Sequence, residues 1–276
     1  MIGAAVFLSG DASSFVNGHM KRLPALEIVS CYGVGTDAID LDYARANRIK
    51  VTNTPDVLTA DVADMAVGLL LSAARKIPEA HQFVREGSWG QGNMPLVTRV
   101  SGKPAGVVGM GRVGSAVAKR LAAFNCEVAY FDVSRRADLA YEFEPDLVEL
   151  ARRAEFLIVT LAGGESTKGI IDASVLEALG PDGILINVSR GSTVDETALL
   201  HALETKTIKG AGLDVFRNEP HIDPRFRMLD NVVLQPHHAS GTGETRRAMG
   251  KLVRDNLAAH FSGAALLTQP GRVSSR

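Results

Sequence analysis

The stretch Val107-Val108-Gly109-Met110-Gly111-Arg112-Val113-Gly114 decides the fold of this chain. It is a GxGxxG run between an apolar, strand-like segment and a segment with helical spacing, and Asp132 closes the next apolar segment. The three glycines allow a tight turn, a close approach of backbone to pyrophosphate, and close packing of helix on strand. The helix N-terminus offers N–H groups and partial positive charge to phosphates. The pattern predicts a dinucleotide site, and leaves open a purely structural turn or another nucleotide such as S-adenosylmethionine.

Strand-like segments alternate with helical ones along the chain, which predicts βαβ units on a parallel sheet. A long helical stretch is expected over residues 59–85, with a kink at Pro78, and a last helix over residues 243–261. Segments 51–55 and 236–242 precede these two helices. If both are hinges, the chain crosses twice between two domains, and its two ends share one of them.

Composition narrows the class of protein. The 30 Lys+Arg residues against 31 Asp+Glu residues give a net charge of −1, which argues against nucleic acid and anionic membrane surfaces as partners. No apolar run is long enough for a membrane span, and the N-terminus lacks the features of a signal peptide. Cys31 and Cys126 are too few for a Cys-rich metal site or a disulfide framework, so we expect no metal and a cytoplasmic location.

Cofactor choice depends on the residues that follow the second strand of the nucleotide unit. Asp132 is placed to accept hydrogen bonds from the adenosine ribose hydroxyls and to repel a 2′-phosphate, which favours NAD. Ser134, Arg135 and Arg136 follow, and two guanidinium groups beside a hydroxyl form a phosphate pocket unless they are a solvated turn. We therefore expect NAD(P), with NAD favoured by Asp132 and NADP left open by the two arginines.

Polar side chains follow the later apolar segments, where the carboxyl edge of a parallel sheet places functional groups. Arg190 follows one segment, Asp214 leads from the next towards Glu219, and His237 and His238 follow the last. An arginine grips a carboxylate or a keto oxygen, and a histidine transfers protons near neutral pH, especially beside a carboxylate. Each residue taken alone also fits a surface ion pair or a structural hydrogen bond.

These motifs belong to a set that covers nearly the whole chain, from about residue 2 to residue 268. The set comprises Gly33-Val34-Gly35 with Asp37, Ile39-Asp40, Thr52-Asn53-Thr54-Pro55, the GxGxxG run with Asp132, Asn187-Val188-Ser189-Arg190-Gly191, Leu213-Asp214-Val215-Phe216 through Glu219-Pro220, and Pro236-His237 through Ser240. It resembles the D-2-hydroxyacid dehydrogenase family. Segments 244–246, 248–249, 256–257, 259–263 and 266–268 are most similar to the glyoxylate/hydroxypyruvate and hydroxyphenylpyruvate reductases of that family.

The resemblance implies an α/β fold with a doubly wound parallel-sheet (Rossmann) nucleotide domain and a smaller, flavodoxin-like α/β substrate domain. Residues 1–53 would begin the substrate-binding domain, residues 54–239 would form the NAD(P)-binding domain, and residues 240–276 would return a helix and tail to the first. It also implies a homodimer formed through the long helix of the nucleotide domain.

The resemblance assigns the chemistry to three residues. Arg190 would hold the carboxylate and the carbonyl of the substrate. His237 would be the general acid for reduction and the base for oxidation, with Glu219 as its partner. The intervals of 29 residues from Arg190 to Glu219 and 18 from Glu219 to His237 fit, whereas His238 falls on a variable position of the family.

The binding residues follow from the same resemblance. Backbone N–H groups of Val34 and Gly35 would bind the substrate carboxylate, and Asp214 would meet the nicotinamide carboxamide. The expected cofactor-binding set is Gly109, Gly111, Arg112, Val113, Gly114, Asp132, Ser134, Arg135, Val188 and Asp214.

The expected reaction is hydride transfer between NAD(P)H and a 2-keto acid of the glyoxylate, hydroxypyruvate or hydroxyphenylpyruvate class, giving the D-2-hydroxy acid. A non-catalytic NAD(H)-sensing regulatory protein on the same fold is the alternative. Formate oxidation is a third possibility, for which the extra polar residues are not found. Because members of the family usually begin with a further strand and helix before the position of Met1, we expect a misassigned start, a shortened chain or a small domain incomplete at its N-terminus.

Overall fold

The computed structural model describes residues 3–8 and 17–270, and the chain forms two compact units. One unit comprises Met1–Asp61 and Ser240–Arg276, and the other comprises Val62–Ala239. The division after Ala239 lies within segment 236–242. The division after Asp61 lies past segment 51–55, inside the first long helical stretch.

The smaller unit is built on a three-stranded parallel sheet in the order β1-β2-β3. The central strand is buried on both faces: Val29 and Cys31 on one face form the core with Met20 and Ile49, and Ile28 and Ser30 are buried on the other face. The elements of this unit are β1 (Ala4–Leu8), α1 (Asn17–Lys21), β2 (Ile28–Tyr32), α2 (Leu41–Ala46), β3 (Lys50–Thr52) and the C-terminal helix α9 (Gly243–Phe261).

The larger unit, which is described throughout, carries a seven-stranded parallel sheet in the order β10-β9-β8-β7-β4-β5-β6. The strands are β4 (Pro104–Val108), β5 (Glu127–Phe131), β6 (Glu142–Phe143), β7 (Phe156–Val159), β8 (Ile184–Asn187), β9 (Gly210–Leu213) and β10 (Val232–Leu234). The chain runs outward from β4 to one edge and then returns to β7 on the other side of β4. This reversal creates a crevice at the carboxyl ends of β4 and β7, where open α/β sheets bind ligands.

Helices cover this sheet, and their apolar faces follow the sequence pattern. Val117 and Leu121 of the helix after β4 are fully buried, and Val113 and Phe124 on the same face are half-buried. The helices with buried residues are α3 (Thr59–Arg75), α5 (Arg112–Ala123), α6 (Leu147–Arg153), α7 (Ala173–Leu179) and α8 (Glu196–Glu204), whereas α4 (Ile77–Arg85) buries none. The doubly wound parallel-sheet fold is thereby confirmed.

Two local expectations need correction. The stretch over residues 59–85 is two helices rather than one kinked helix, because Lys76 adopts a left-handed conformation with φ of 52° and Pro78 lies in the first turn of α4. The strands β3 and β6 and the short helices α1 and α2 are not predicted by the sequence, since segments this short carry too few residues to show a period. Among the described residues, no helix has both the length and the apolar character needed to cross a membrane.

Candidate active site

Three adjacent parallel strands bring the candidate chemical groups to one edge of the sheet. Arg190 follows β8, Glu219 lies on the loop after β9, and His237 follows β10. Because β8, β9 and β10 pair in parallel, their carboxyl ends lie side by side. Residues that are 47 positions apart in the chain thus belong to one cluster of loops.

His237 and Glu219 form a hydrogen-bonded pair. The His237 Nδ1 atom lies 2.6 Å from Glu219 Oε2, and Glu219 Oε1 accepts the backbone N–H of Phe216 at 2.8 Å. The two side chains are 28% and 17% exposed, so the pair is partly shielded from water yet reachable. With Nδ1 directed to the carboxylate, Nε2 is the ring atom that accepts or releases a proton outside the pair.

Asp214, directly after β9, is a buried carboxylate that shapes the histidine loop. Its Oδ1 and Oδ2 accept the backbone N–H groups of His238 at 2.7 Å and Ala239 at 3.0 Å, and its carbonyl accepts the N–H of His237 at 2.8 Å. His237 has φ of 51°, in the left-handed region that residues with side chains rarely adopt, and these contacts hold it there. Burial raises the pKa of Asp214, and the two N–H donors act against that rise.

The loop after β8 is held by its own side chains. Asn187 Nδ2 and Thr193 Oγ1 donate to the carbonyl of Arg190 at 3.0 and 2.7 Å, and Asn187 Oδ1 accepts the N–H of Ser189 at 3.0 Å. The Arg190 guanidinium donates from Nη1 to the carbonyl of Ser189 at 2.7 Å. A Cβ atom at Gly191 would overlap the backbone of Phe216, so this glycine packs the arginine loop against the loop that carries Glu219.

Sequence reasoning missed several residues that build this site. Asn187 and Gly191 are singled out by the sequence only as parts of a motif, Thr193 is not singled out, and the hydrogen bonds of Asp214 to the histidine loop are not predicted. Glu196, whose Oε1 accepts the N–H of Arg217 at 2.6 Å, was not noticed at all. One general rule could have indicated these contacts. A polar side chain directly after a buried strand needs hydrogen-bond partners, and backbone N–H groups of the neighbouring loops are the nearest donors.

The GxGxxG loop has the shape that a dinucleotide needs. Gly109 has φ of 95°, and an added Cβ would lie 2.9 Å from the Leu161 backbone nitrogen. A Cβ at Gly114 would overlap the carbonyl oxygen of Gly109, whereas a Cβ at Gly111 would meet nothing within 4 Å. Gly109 and Gly114 thus allow close packing, and Gly111 leaves open space before the N-terminus of α5 for a phosphate.

Asp132 is directed at this loop. Its Oδ2 accepts the N–H of Met110 and its Oδ1 accepts the N–H of Val133, both at 2.7 Å. Arg136 donates from Nη1 to the carbonyl of Met110 at 3.0 Å and forms a two-pronged ion pair with Asp138. The hydrogen bond to Asp138 raises the pKa of Arg136. Of the two arginines expected near a 2′-phosphate, Arg136 is therefore held against the loop.

The remaining expected binding residues lie in both units. Ser134 and Arg135 are exposed on the turn after β5, Arg112 and Val113 begin α5, and Val188 is buried after β8. Val34 and Gly35 belong to the smaller unit, on the turn that follows β2.

Comparison with known proteins identifies the family. A model described as D-isomer specific 2-hydroxyacid dehydrogenase, NAD binding domain, matches residues 67–239. The chain belongs to this family. The expected family is thus confirmed, and the larger unit of this D-2-hydroxyacid dehydrogenase is an NAD(P)-binding domain.

Three relatives show how close the match is. The chain is 48% identical to glyoxylate/hydroxypyruvate reductase A of Arabidopsis thaliana over 94% of its own length and 83% of that protein. It is 48% identical to hydroxyphenylpyruvate reductase of Plectranthus scutellarioides over 90% of its length and 80% of that protein. It also matches the structure of NADPH-dependent glyoxylate/hydroxypyruvate reductase from Sinorhizobium meliloti in complex with NADP and malonate, at 48% identity and a TM-score of 0.88, with 93% of this chain and 82% of that chain covered.

Proposed function

We propose that this dehydrogenase reduces a small 2-keto acid of the glyoxylate, hydroxypyruvate or hydroxyphenylpyruvate class to the D-2-hydroxy acid with NAD(P)H. The observation that carries the proposal is the 2.6 Å pair of His237 and Glu219, which lies on loops packed against the Arg190 loop. This combination supplies a proton donor and a fixed positive charge at the edge of an NAD-binding sheet. The names of the relatives at 48% identity support the substrate class.

His237 is the proposed proton donor in reduction and acceptor in oxidation. The carboxylate of Glu219 stabilises the imidazolium and orients the ring through Nδ1, which leaves Nε2 to serve the substrate oxygen. The His238 side chain is exposed and forms no hydrogen bond or ion pair within the described part of the chain, and only its backbone N–H contributes to the loop.

Arg190 is the proposed electrophilic group. Its guanidinium offers paired donors to the carboxylate and carbonyl oxygens of the substrate, and its charge stabilises the oxygen as it becomes negative. The backbone N–H groups of Val34 and Gly35 are also proposed to bind the substrate carboxylate.

The nucleotide loop is the proposed cofactor site. Bound NAD(P)H supplies the hydride for the keto carbon. Gly109, Gly111 and Gly114 with the first residues of α5 would receive the pyrophosphate, and Asp214 and Val188 would meet the nicotinamide side. Asp132 opposes a 2′-phosphate, whereas Ser134 and Arg135 are exposed donors that attract one, and we propose that their balance decides between NAD and NADP.

We also infer a homodimer and a cytoplasmic location. The dimer is supported by exposed apolar side chains on α4 and the following segment, among them Val84, Trp89 and Leu96, which are 56%, 68% and 102% exposed. Light scattering on purified protein measures the molar mass in solution and so tests whether the protein is a dimer. The free thiols Cys31 and Cys126, both buried, suit a reducing compartment.

The test is the decay of NAD(P)H absorbance with glyoxylate, hydroxypyruvate and hydroxyphenylpyruvate, each with both cofactors. Turnover of at least one keto acid to its D-hydroxy product is expected. Tight cofactor binding without turnover of any keto acid would contradict the proposal and favour the NAD(H)-sensing alternative.

A further inference from the structure

The turn after β2 presents two backbone N–H groups in a defined direction. Among the described residues, neither Val34 N–H nor Gly35 N–H has a hydrogen-bond acceptor. The carbonyls that share their peptide groups are both engaged: the Gly33 carbonyl accepts the N–H of Thr54 at 2.8 Å, and the Val34 carbonyl accepts Asn53 Nδ2 at 3.0 Å. In a trans peptide the C=O and the N–H point to opposite sides. Both N–H groups therefore point away from residues 53 and 54, side by side.

Asn53 is the side chain in this arrangement. It is 7% exposed, and its Oδ1 has no hydrogen-bond partner within the described part of the chain. Reversing the amide would place its oxygen against the Val34 carbonyl, so the orientation with Nδ2 towards Val34 is favoured. A buried amide oxygen without a partner is unfavourable. The hydrogen bond from Nδ2 to the Val34 carbonyl is therefore the contact through which the Asn53 side chain holds this turn.

Hydrogen bonds from the segment at and after α9 hold the backbone of Asn53 in place. Thr268 Oγ1 donates to the carbonyl of Asn53 at 2.6 Å, and Asn256 Nδ2 donates to Thr268 Oγ1 at 3.0 Å. Asn256, on α9, is completely buried, and its Oδ1 accepts the N–H groups of Leu267 and Thr268 at 3.0 and 3.2 Å. The segment after α9 is thereby tied to the same turn that carries Val34.

We propose that Asn53 and Thr268 are positioning residues for the substrate carboxylate. Asn53 holds the Val34–Gly35 peptide so that its N–H faces outward, and Thr268 holds Asn53. This inference rests on the proposed function, in which those N–H groups receive the carboxylate. It assigns to the C-terminal segment of the smaller unit a part in substrate binding, although no side chain of that segment is proposed to touch the substrate.

The kinetic consequence differs from that of losing a catalytic group. The carboxylate is present and charged in both the ground state and the transition state, so an anchor for it contributes to both. Weakening the anchor should raise KM and leave kcat nearly unchanged. The affinity for a carboxylate inhibitor should fall by the same factor, whereas the affinity for NAD(P)H, which binds to the other unit, should not change.

The experiment compares matched variants of the 276-residue chain, with oxamate as the inhibitor. Asn53→Ala is expected to raise KM for the keto acid and Ki for oxamate by about tenfold or more, with kcat within a factor of about two. Asn47→Ala is the control, because Asn47 is an exposed asparagine of the same unit whose Nδ2 also donates to a backbone carbonyl, that of Tyr43. It should leave both constants unchanged.

A second pair keeps the inference testable if Asn53→Ala does not fold. Thr268→Val removes the hydroxyl and keeps the shape, whereas Thr268→Ser keeps the hydroxyl. KM and Ki should rise in the valine variant and be restored in the serine variant. Folded variants with unchanged KM and Ki, or a fall in kcat alone, would overturn the inference while leaving the proposed function standing. Absence of turnover in the unaltered protein would overturn both.

Discussion

The carboxyl edge of β8 to β10 and the glycine loop after β4 use acidic side chains in different ways. At the first, Glu219 divides its two oxygens between a histidine ring and a backbone N–H. At the second, both oxygens of Asp132 accept backbone N–H groups. The partner of a carboxylate therefore indicates its role. A carboxylate on a titratable ring changes the chemistry of that ring, whereas one on two amides sets the shape of a loop and the local charge.

The largest effect is expected from the loss of His237 at the carboxyl edge of β8 to β10. His237→Ala should lower kcat/KM by about 100-fold to 10,000-fold in both directions, the usual contribution of a general acid or base. His238→Ala is the matched control: His238 is exposed, and its backbone N–H to Asp214 survives the substitution. Steady-state kinetics of both variants make the comparison, and equal losses would contradict the assignment to His237.

Arg190 should give the next largest effect. Arg190→Ala is expected to lower kcat/KM for keto acids by about 100-fold, or about 3 kcal/mol of transition-state stabilisation, because the developing negative charge loses its partner. Arg190→Lys should recover part of this loss, since it keeps the charge without the paired donors. Arg225→Ala, an exposed arginine paired with Asp223, is the control. Wild-type kinetics in Arg190→Ala would remove this residue from the site.

The smallest effect is expected at the glycine loop. Asp132→Ala should raise the NADPH:NADH ratio of kcat/KM by about tenfold, because it removes a negative charge from beside the 2′-phosphate position. Both KM values should also rise, since the Met110 N–H loses its acceptor. Asp182→Ala, an exposed carboxylate of the same unit, controls for the change in net charge. An unchanged ratio would leave Asp132 with a structural role alone.

The sequence predicted those parts of the molecule that depend on spacing. The buried runs of β7 and β8, the three glycines at residues 109–114 and the interval from Glu219 to His237 each carry a local pattern with a physical reason. The direction of a side chain within a loop has no such pattern. Asp132 and Asp214 are both acids that follow a strand, and only the fold shows that each accepts two backbone N–H groups.

Breaks and long-range contacts were also outside the reach of sequence reasoning. The helix over residues 59–85 breaks at Lys76, two residues before the proline that was expected to kink it. The hydrogen bond between Asn53 and Thr268 joins residues 215 positions apart, and neither local sequence predicts it. Contacts of this kind depend on how the chain returns to the smaller unit, which no local period encodes.

The most direct test of the proposed chemistry is the activity of Glu219→Gln in both directions of the reaction. Glutamine keeps the shape of the side chain but removes the carboxylate that lies 2.6 Å from His237 Nδ1, so kcat/KM should fall by about tenfold or more in both reduction and oxidation. Glu177→Gln, exposed on α7, should keep the kcat/KM of the wild type. A Glu219→Gln variant with the kcat/KM of the wild type in both directions would contradict the pairing of His237 with Glu219.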